Sequence, residues 1–135
     1  MKSFFLDTGY VMALELSSDQ NHGAALRHWR GAGKSLRLLV TTSYVFDEIV
    51  TFFNNRGHHA KAVETGERLL SSPSVRLVHV GEDLFREGWN YFRKHKDKGY
   101  SLTDYISFLV MEEFGIDTAF TFDKHSVQSG FKKLP

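Results

Sequence analysis

Apolar residues along this chain fall into two alternating patterns, short continuous runs and longer stripes with a spacing of three or four residues. The short runs predict strands over residues 2–7, 36–40, 75–80 and 118–122. The stripes predict helices over residues 11–16, 19–29, 43–56, 60–70, 82–95 and 102–114, with a short helix or turn over 127–131. Strands that alternate with helices in this way predict a largely parallel sheet covered by helices.

Polar and small residues mark where several of these helices begin and end. Asp19 is a suitable N-cap for the second helix, which Gly31 and Gly33 are expected to stop. Thr42 or Ser43 is expected to cap the third helix. These signals agree with the apolar pattern, so both support the same order of elements.

The bulk composition narrows the class of protein. A length of 135 residues predicts one domain, residues 1–135, and fractions of 41% apolar and 24% charged residues are those of an ordinary globular protein. The formal net charge of +1 gives no overall attraction to nucleic acid, so any such binding must come from local patches or a bridging metal. The chain has no cysteine and no apolar run near the roughly 20 residues of a membrane span. We therefore expect a cytoplasmic protein that does not contact the membrane.

Two aspartates lie where a parallel α/β sheet collects ligands. Asp7 closes the first predicted strand, and Asp123 directly follows the last one. Ligands of such sheets bind outside the carboxyl ends of the strands, so both side chains would point into one crevice. The alternative is that each is a turn or N-cap residue, since aspartate is favoured at both kinds of position.

Two further acids are predicted on helices. Glu48 follows Val45 by three residues and precedes Phe52 by four, which predicts that it shares their inward face. The alternative is that Glu48 lies at the edge of the stripe and pairs with Arg56 or another basic side chain. Asp104 ends the sequence Ser-Leu-Thr-Asp at residues 101–104, which resembles a capping box with Ser101 as the cap. The alternative is that helix initiation alone explains the presence of Asp104.

Taken together, the four acids predict a metal site. Carboxylates that are distant in sequence and close in space suit hard divalent cations, because Mg²⁺ and Mn²⁺ prefer oxygen ligands. Such a site indicates phosphodiester chemistry. The histidines form no pair at the spacing of a helical zinc motif, which argues against a zinc site.

Candidate substrate contacts lie outside the acids. The basic segment, which we define as Arg93, Lys94, Lys96 and Lys98, precedes the Asp104 helix and is expected at the rim of the crevice. Tyr100 follows it and is expected to stack on an unpaired base. Arg56, at the end of the Glu48 helix, is a second candidate. A solvated charged loop is the alternative for the whole basic segment.

Four stretches carry a resemblance to a known family. Residues 6–14 (LDTGYVMAL), 42–48 (TSYVFDE), 102–108 (LTDYISF) and 120–125 (FTFDKH) resemble the acidic motifs of PIN domains, in the same order and with similar spacing. The resemblance spans nearly the whole chain. The chain is also similar in size to VapC-type toxins and stand-alone PIN proteins. One position differs: Ser126 stands where the closing motif of the family often has Phe, and Phe131 follows later.

The resemblance implies a three-layer α/β/α sandwich and ribonuclease activity that depends on one or two Mg²⁺ or Mn²⁺ ions. It also implies an RNA substrate, a homodimer and, for a toxin, an antitoxin partner. Carried over to this sequence, the acidic cluster would be Asp7, Glu48, Asp104 and Asp123, supported by Thr8, Ser101 and Thr121. RNA and single-stranded DNA both remain open as the physiological substrate.

Other classes of protein fit less well. A phosphate-receiver domain needs an acidic pair near the first strand, and Asp7 has none beside it. The absence of a glycine fingerprint excludes P-loop and dinucleotide enzymes. The serious alternative is a catalytically silent PIN-like module that binds RNA or acts as a scaffold. The presence of all four acids argues against it, and failure to bind metal would argue for it.

Overall fold

The alternating runs and stripes fold into a parallel sheet between two layers of helices. The computed structural model describes residues 2–32 and 37–135, so Gly33 and Leu36, predicted at a helix end and a strand start, lie outside the described residues. In chain order the elements are β1 (Lys2–Leu6), α1 (Thr8–Glu15), α2 (His22–Ala32), β2 (Arg37–Thr42), α3 (Ser43–Asn55), α4 (His59–Ser71), β3 (Val75–Val78), α5 (Glu82–Lys94), α6 (Leu102–Glu113), β4 (Thr118–Phe120), α7 (His125–Gln128) and β5 (Lys132–Leu134).

The sheet has the strand order β3-β2-β1-β4-β5, and every neighbouring pair is parallel. The first strand is therefore central, with Phe5 opposite Val40 of β2 on one side and Ala119 of β4 on the other. Because all strands run the same way, their carboxyl ends meet at one edge. This edge brings Asp7 and the residues after β4 together.

Side chains alternate between the two faces of the sheet, and each face is covered by helices. Phe5 and Ala119 face α6, where they lie near Met111. Leu6 and Leu39 face the opposite layer, where they share a cavity with residues of α1, α2 and α4. The predicted three-layer architecture is thus confirmed.

Helix α5 lies against α6 through a glycine. Gly88 is buried, and a Cβ built there would lie 2.5 Å from Ile106 Cδ1, so only glycine permits this approach without a shift. Beside this contact, α5 carries Phe85, Trp89 and Phe92, which are 42%, 47% and 39% exposed. The apolar stripe that predicted this helix therefore lies largely at the surface.

Several predicted boundaries were wrong. Helix α2 begins at His22, because the Asp19 carboxylate instead accepts a 2.7 Å hydrogen bond from the Asn21 amide in a turn. It also continues past the predicted stop at Gly31. Of the two candidates for the cap of α3, the structure uses Thr42, whose hydroxyl accepts from the Val45 amide at 3.2 Å.

The end of the chain differs most from the prediction. The fourth strand stops at Phe120, and a fifth strand, β5, was not predicted at all. β5 is an edge strand with the sequence Lys-Lys-Leu, too short and too polar to give a period-two signal. It is held by pairing with β4 and by a 2.9 Å hydrogen bond from the Thr121 amide to the Leu134 carbonyl.

Within residues 2–32 and 37–135, none of the helices combines the length and apolar character that crossing a membrane requires.

Candidate metal centre

Three of the four predicted acids line one small cleft at the carboxyl edge of the sheet. We call this the acidic cleft and define it by Asp7, Asp104, Thr121, Asp123 and His125. Asp7 follows β1, Asp123 follows β4 after two residues, and Asp104 lies in the first turn of α6. The parallel order of β1 and β4 and the packing of α6 on the same face of the sheet bring these side chains together.

Asp7 is the most buried of these acids and is held by a threonine. The Thr121 hydroxyl donates a 2.6 Å hydrogen bond to Asp7 Oδ2 and accepts one of 3.0 Å from the Asp123 amide. Burial is the main cause that raises the pKa of Asp7 to about 6; the negative charges of Asp104 and Asp123 act in the same direction, and hydrogen bonds from Thr121 and the Thr8 backbone oppose it. Such a group gains from a cation beside it, because the cation compensates the buried charge.

Asp104 serves a structural purpose as well. The Ser101 hydroxyl accepts from the Asp104 amide at 3.0 Å, and Asp104 Oδ2 accepts from the Ser101 amide at 3.0 Å. The predicted capping box is therefore confirmed. The same oxygen of Asp104 also faces His125, so the cap fixes a carboxylate that points into the acidic cleft.

His125 is a member of the acidic cleft that the sequence did not predict. Its Nδ1 lies 2.9 Å from Asp104 Oδ2 and 3.3 Å from Asp123 Oδ2. Among the described residues, these three form a group with one ligand atom each, all within 4.8 Å of one another. It forms no pair with another histidine at helical spacing, whereas its place two residues after Asp123 was a usable signal.

Glu48 is placed differently from the prediction. It is exposed, and the inward face of α3 consists instead of Val45, Ile49 and Phe53. Glu48 directly precedes Ile49, so it lies about 100° around the helix from that residue and beside the buried stripe. Its carboxylate is nevertheless linked to the acidic cleft, because Thr8, the neighbour of Asp7, donates a 2.7 Å hydrogen bond to Glu48 Oε1.

Tyr100 is also placed differently. Its side chain is only 8% exposed, and its ring packs against Tyr105, Phe108 and His125. This burial argues against the predicted stacking of Tyr100 on a base, because neighbouring rings already cover it. The aromatic character that suggested base stacking instead supports His125, whose ring centroid lies 4.8 Å away.

The predicted cationic contacts are at the surface. All four residues of the basic segment are exposed, and in the described part of the chain no ion pair neutralises them. The segment joins α5 to α6 and leads through Tyr100 to the acidic cleft. Arg56 is exposed too, with its guanidinium 3.7 Å from the centroid of Phe52. Their contact with a substrate stays a prediction.

The donors of the acidic cleft suit a divalent cation. Three carboxylates and one imidazole converge there, and oxygen donors are those that Mg²⁺ and Mn²⁺ prefer. The raised pKa of buried Asp7 fits the same conclusion, since a carboxylate out of water needs a compensating charge.

Comparisons with known proteins agree with this geometry. The chain is 35% identical over 131 residues to the "23S rRNA-specific endonuclease VapC20" of Mycobacterium tuberculosis, from the strains CDC 1551 / Oshkosh and ATCC 25618 / H37Rv. The alignment covers 96% of this chain and 96% of the relative. It is also similar to the crystal structure of Mycobacterium tuberculosis VapC20, described as a "Sarcin-Ricin loop cleaving toxin". That match has a TM-score of 0.85 and 33% identity and covers 95% of both chains. The family model "PIN domain" matches residues 4–132. This chain belongs to the PIN domain family.

Proposed function

We propose that this protein is a metal-dependent endoribonuclease that hydrolyses phosphodiester bonds in RNA. The observation that carries the proposal is the convergence of Asp7, Asp104 and Asp123 in one cleft at the carboxyl edge of the sheet. Likeness to an rRNA endonuclease over 96% of both chains supports it.

The ion would be Mg²⁺ or Mn²⁺, held by Asp7, Asp104 and Asp123, with Glu48 acting from the rim. When bound, the ion would neutralise the carboxylates, activate water and stabilise the charge that develops on the phosphate. Thr121 holds Asp7 in place, and the Ser101 amide holds Asp104. Thr8 orients Glu48 in the same way. These hydrogen bonds fix the acids before substrate arrives, which lowers the cost of reorganising them during the reaction.

The substrate we propose is a structured RNA, and ribosomal RNA is the first candidate because the relative acts on 23S rRNA. Cations outside the acidic cleft are needed to hold a polyanion. The basic segment, whose charges are exposed and not ion-paired within the described residues, supplies them, with Arg56 as a further contact. If RNA binds through its phosphates alone, its affinity should fall strongly as the salt concentration rises.

Two partners follow from this proposal. A toxin requires an antitoxin that blocks its activity, and we extend this expectation to the present chain. A second copy of the chain is the partner we propose for the exposed face of α5, formed by Phe85, Trp89 and Phe92. Exposed aromatic patches of this kind mark interfaces, and a net charge of only +1 lets two copies approach without repulsion.

The test is cleavage of a panel of structured and single-stranded RNAs, including rRNA fragments and a single-stranded DNA control, with Mg²⁺, Mn²⁺ or EDTA. We expect metal-dependent cuts at defined positions in RNA that EDTA and Asp104→Asn abolish. A folded wild-type protein that binds metal and cuts none of these would contradict the proposal. If it also failed to bind metal, the silent RNA-binding or scaffold module would become the better description.

Toxicity is tested separately by induced expression in bacteria. We expect wild-type protein to arrest growth and Asp104→Asn, expressed at the same level, to leave it unaffected. Equal growth of both strains would argue against the toxin function while leaving the nuclease function open.

A further inference from the structure

We propose that His125 is a ligand of the ion, so that this chain has a mixed imidazole and carboxylate centre. The inference rests on the proposed function, since it concerns the same metal. It adds a nitrogen donor to a site that the sequence predicted to be all oxygen.

The distances within the acidic cleft match a coordination shell. His125 Nδ1 lies 2.9 Å from Asp104 Oδ2 and 3.3 Å from Asp123 Oδ2. Adjacent ligand atoms of an octahedral ion with bonds of 2.0–2.1 Å are about 3 Å apart. An ion that binds both carboxylates therefore lies within reach of the imidazole without a large movement.

The ring of His125 is held in position by independent contacts. Tyr100 packs against it with ring centroids 4.8 Å apart, and the Tyr100 hydroxyl donates to Gln128 Oε1 at 3.2 Å. The His125 amide donates to Asp123 Oδ1 at 2.9 Å, which ties the backbone of His125 to the neighbouring carboxylate. Preorganised donors of this kind reduce the cost of ordering a ligand when the ion binds.

A nitrogen donor changes the metal preference of the site. Mg²⁺ strongly prefers oxygen, whereas later divalent metals accept imidazole and bind it more tightly along the Irving–Williams series. We therefore expect Mn²⁺, and Co²⁺ still more, to bind tighter than Mg²⁺. Loss of the imidazole should lower affinity for Mn²⁺ and Co²⁺ by at least about 10-fold, because losing even an outer partner of a metal ligand costs that much. Mg²⁺ affinity should change less.

The experiment is electron spin-echo spectroscopy of the Mn²⁺-loaded protein, which detects a directly bonded ¹⁴N, combined with calorimetric titration of Mn²⁺ and Mg²⁺. The variants are His125→Asn and, as a matched control, His58→Asn at the exposed start of α4. We expect ¹⁴N modulation in the wild type and in His58→Asn and its loss in His125→Asn. Circular dichroism of each variant verifies folding.

Three outcomes overturn the inference. Mn²⁺ that binds the wild type without ¹⁴N modulation, or modulation that persists in His125→Asn, would exclude His125 as a ligand and leave the proposed nuclease intact. A wild type that binds no Mn²⁺ at all would refute both this inference and the metal dependence of the proposed function. His125→Gln serves as a second variant if His125→Asn does not fold.

Discussion

The Thr121 hydroxyl donates a 2.6 Å hydrogen bond to Asp7 Oδ2 across 114 residues of the chain. It joins the ends of the adjacent strands β1 and β4 at the acidic cleft. Because Thr121 is 1% exposed, this bond is shielded from competing water. A hydrogen bond to a charged group in such surroundings contributes about 1.5–3 kcal/mol.

Removing this hydroxyl should raise the pKa of Asp7 above its value of about 6, because the bond favours the ionised carboxylate. We expect Thr121→Val to lose RNA cleavage, with a larger loss at pH 6–7 than at pH 8, where more of Asp7 is ionised. Thr121→Ser, which keeps the hydroxyl, should restore most of the activity. The measurement is a pH–rate profile for each protein. Parallel profiles of wild type and Thr121→Val would contradict this role.

In the metal-free protein, Asp7 should contribute a loss of stability as pH rises. Its folded pKa of about 6 exceeds the ordinary value of 3.8, so the folded state holds the proton more tightly. This contribution to stability is therefore fully present below the ordinary pKa of 3.8, is lost as pH rises to about 6, and is constant above it. The difference between the two pKa values corresponds to at most about 3 kcal/mol.

Asp7→Asn should remove this dependence. In EDTA at pH 8 we expect the variant to be more stable than the wild type, with the advantage shrinking toward pH 4. Urea unfolding at several pH values measures both trends. Asp19→Asn, a change at an acid in a turn, is the matched control. Equal pH dependence of Asp7→Asn and wild type would refute the assignment.

The link between Thr8 and Glu48 should matter for catalysis more than for folding. Thr8 directly follows Asp7, and its 2.7 Å hydrogen bond to Glu48 Oε1 is open to water. We expect Thr8→Val to lower cleavage by about 10-fold, the equivalent of roughly 1.4 kcal/mol, with little change in thermal stability. Thr8→Ser should behave like the wild type. A Thr8→Val protein with full activity would mean that Glu48 needs no orientation by Thr8.

The contact between α5 and α6 should be strained by a side chain at residue 88. Gly88→Ala places a Cβ 2.5 Å from Ile106 Cδ1, and overpacking of this kind costs about 1–3 kcal/mol. Adding Ile106→Val removes the clashing methyl and should recover part of the loss. Gly31→Ala, where nothing lies within 4 Å, should be neutral or slightly stabilising. Thermal unfolding of the four proteins distinguishes these outcomes.

The exposed face of α5 should decide the oligomeric state. We expect Trp89→Glu to shift the protein from dimer to monomer, because it places a charge on the aromatic patch that a second copy would cover. Arg86→Glu, a charge change on the same helix but outside the patch, should leave the dimer intact. Light scattering after size-exclusion chromatography reports the mass. A wild type that is monomeric at 100 μM or so would contradict the proposed interface.

The sequence was sufficient for most of the fold and for three of the acids. Strand ends and the capping box located Asp7, Asp123 and Asp104, because these signals depend on local chemistry. Glu48 was misplaced, since a spacing of three residues does not separate the centre of an apolar stripe from its edge. Strand β5 was missed because an edge strand of three residues has no pattern of its own, and pairing with β4 alone defines it.

His125 was missed for a different reason. Only a pair of histidines on one helix has a recognisable spacing in sequence, whereas His125 meets its carboxylate neighbours across a turn and from another helix. Tyr100 shows the reverse error: an aromatic residue after a charged loop predicted a surface role, and tertiary packing buried it. Both outcomes depend on contacts that no local window contains.

The central position of β1 has a consequence for how the protein is made. Synthesis proceeds from the N-terminus, so β1 leaves the ribosome first and pairs with β2 long before its other neighbour, β4, exists. Until residues 101–125 have emerged, Asp7 stands alone at an open sheet edge. A nascent chain from which residues 101–125 have not yet emerged therefore holds no assembled acidic cleft.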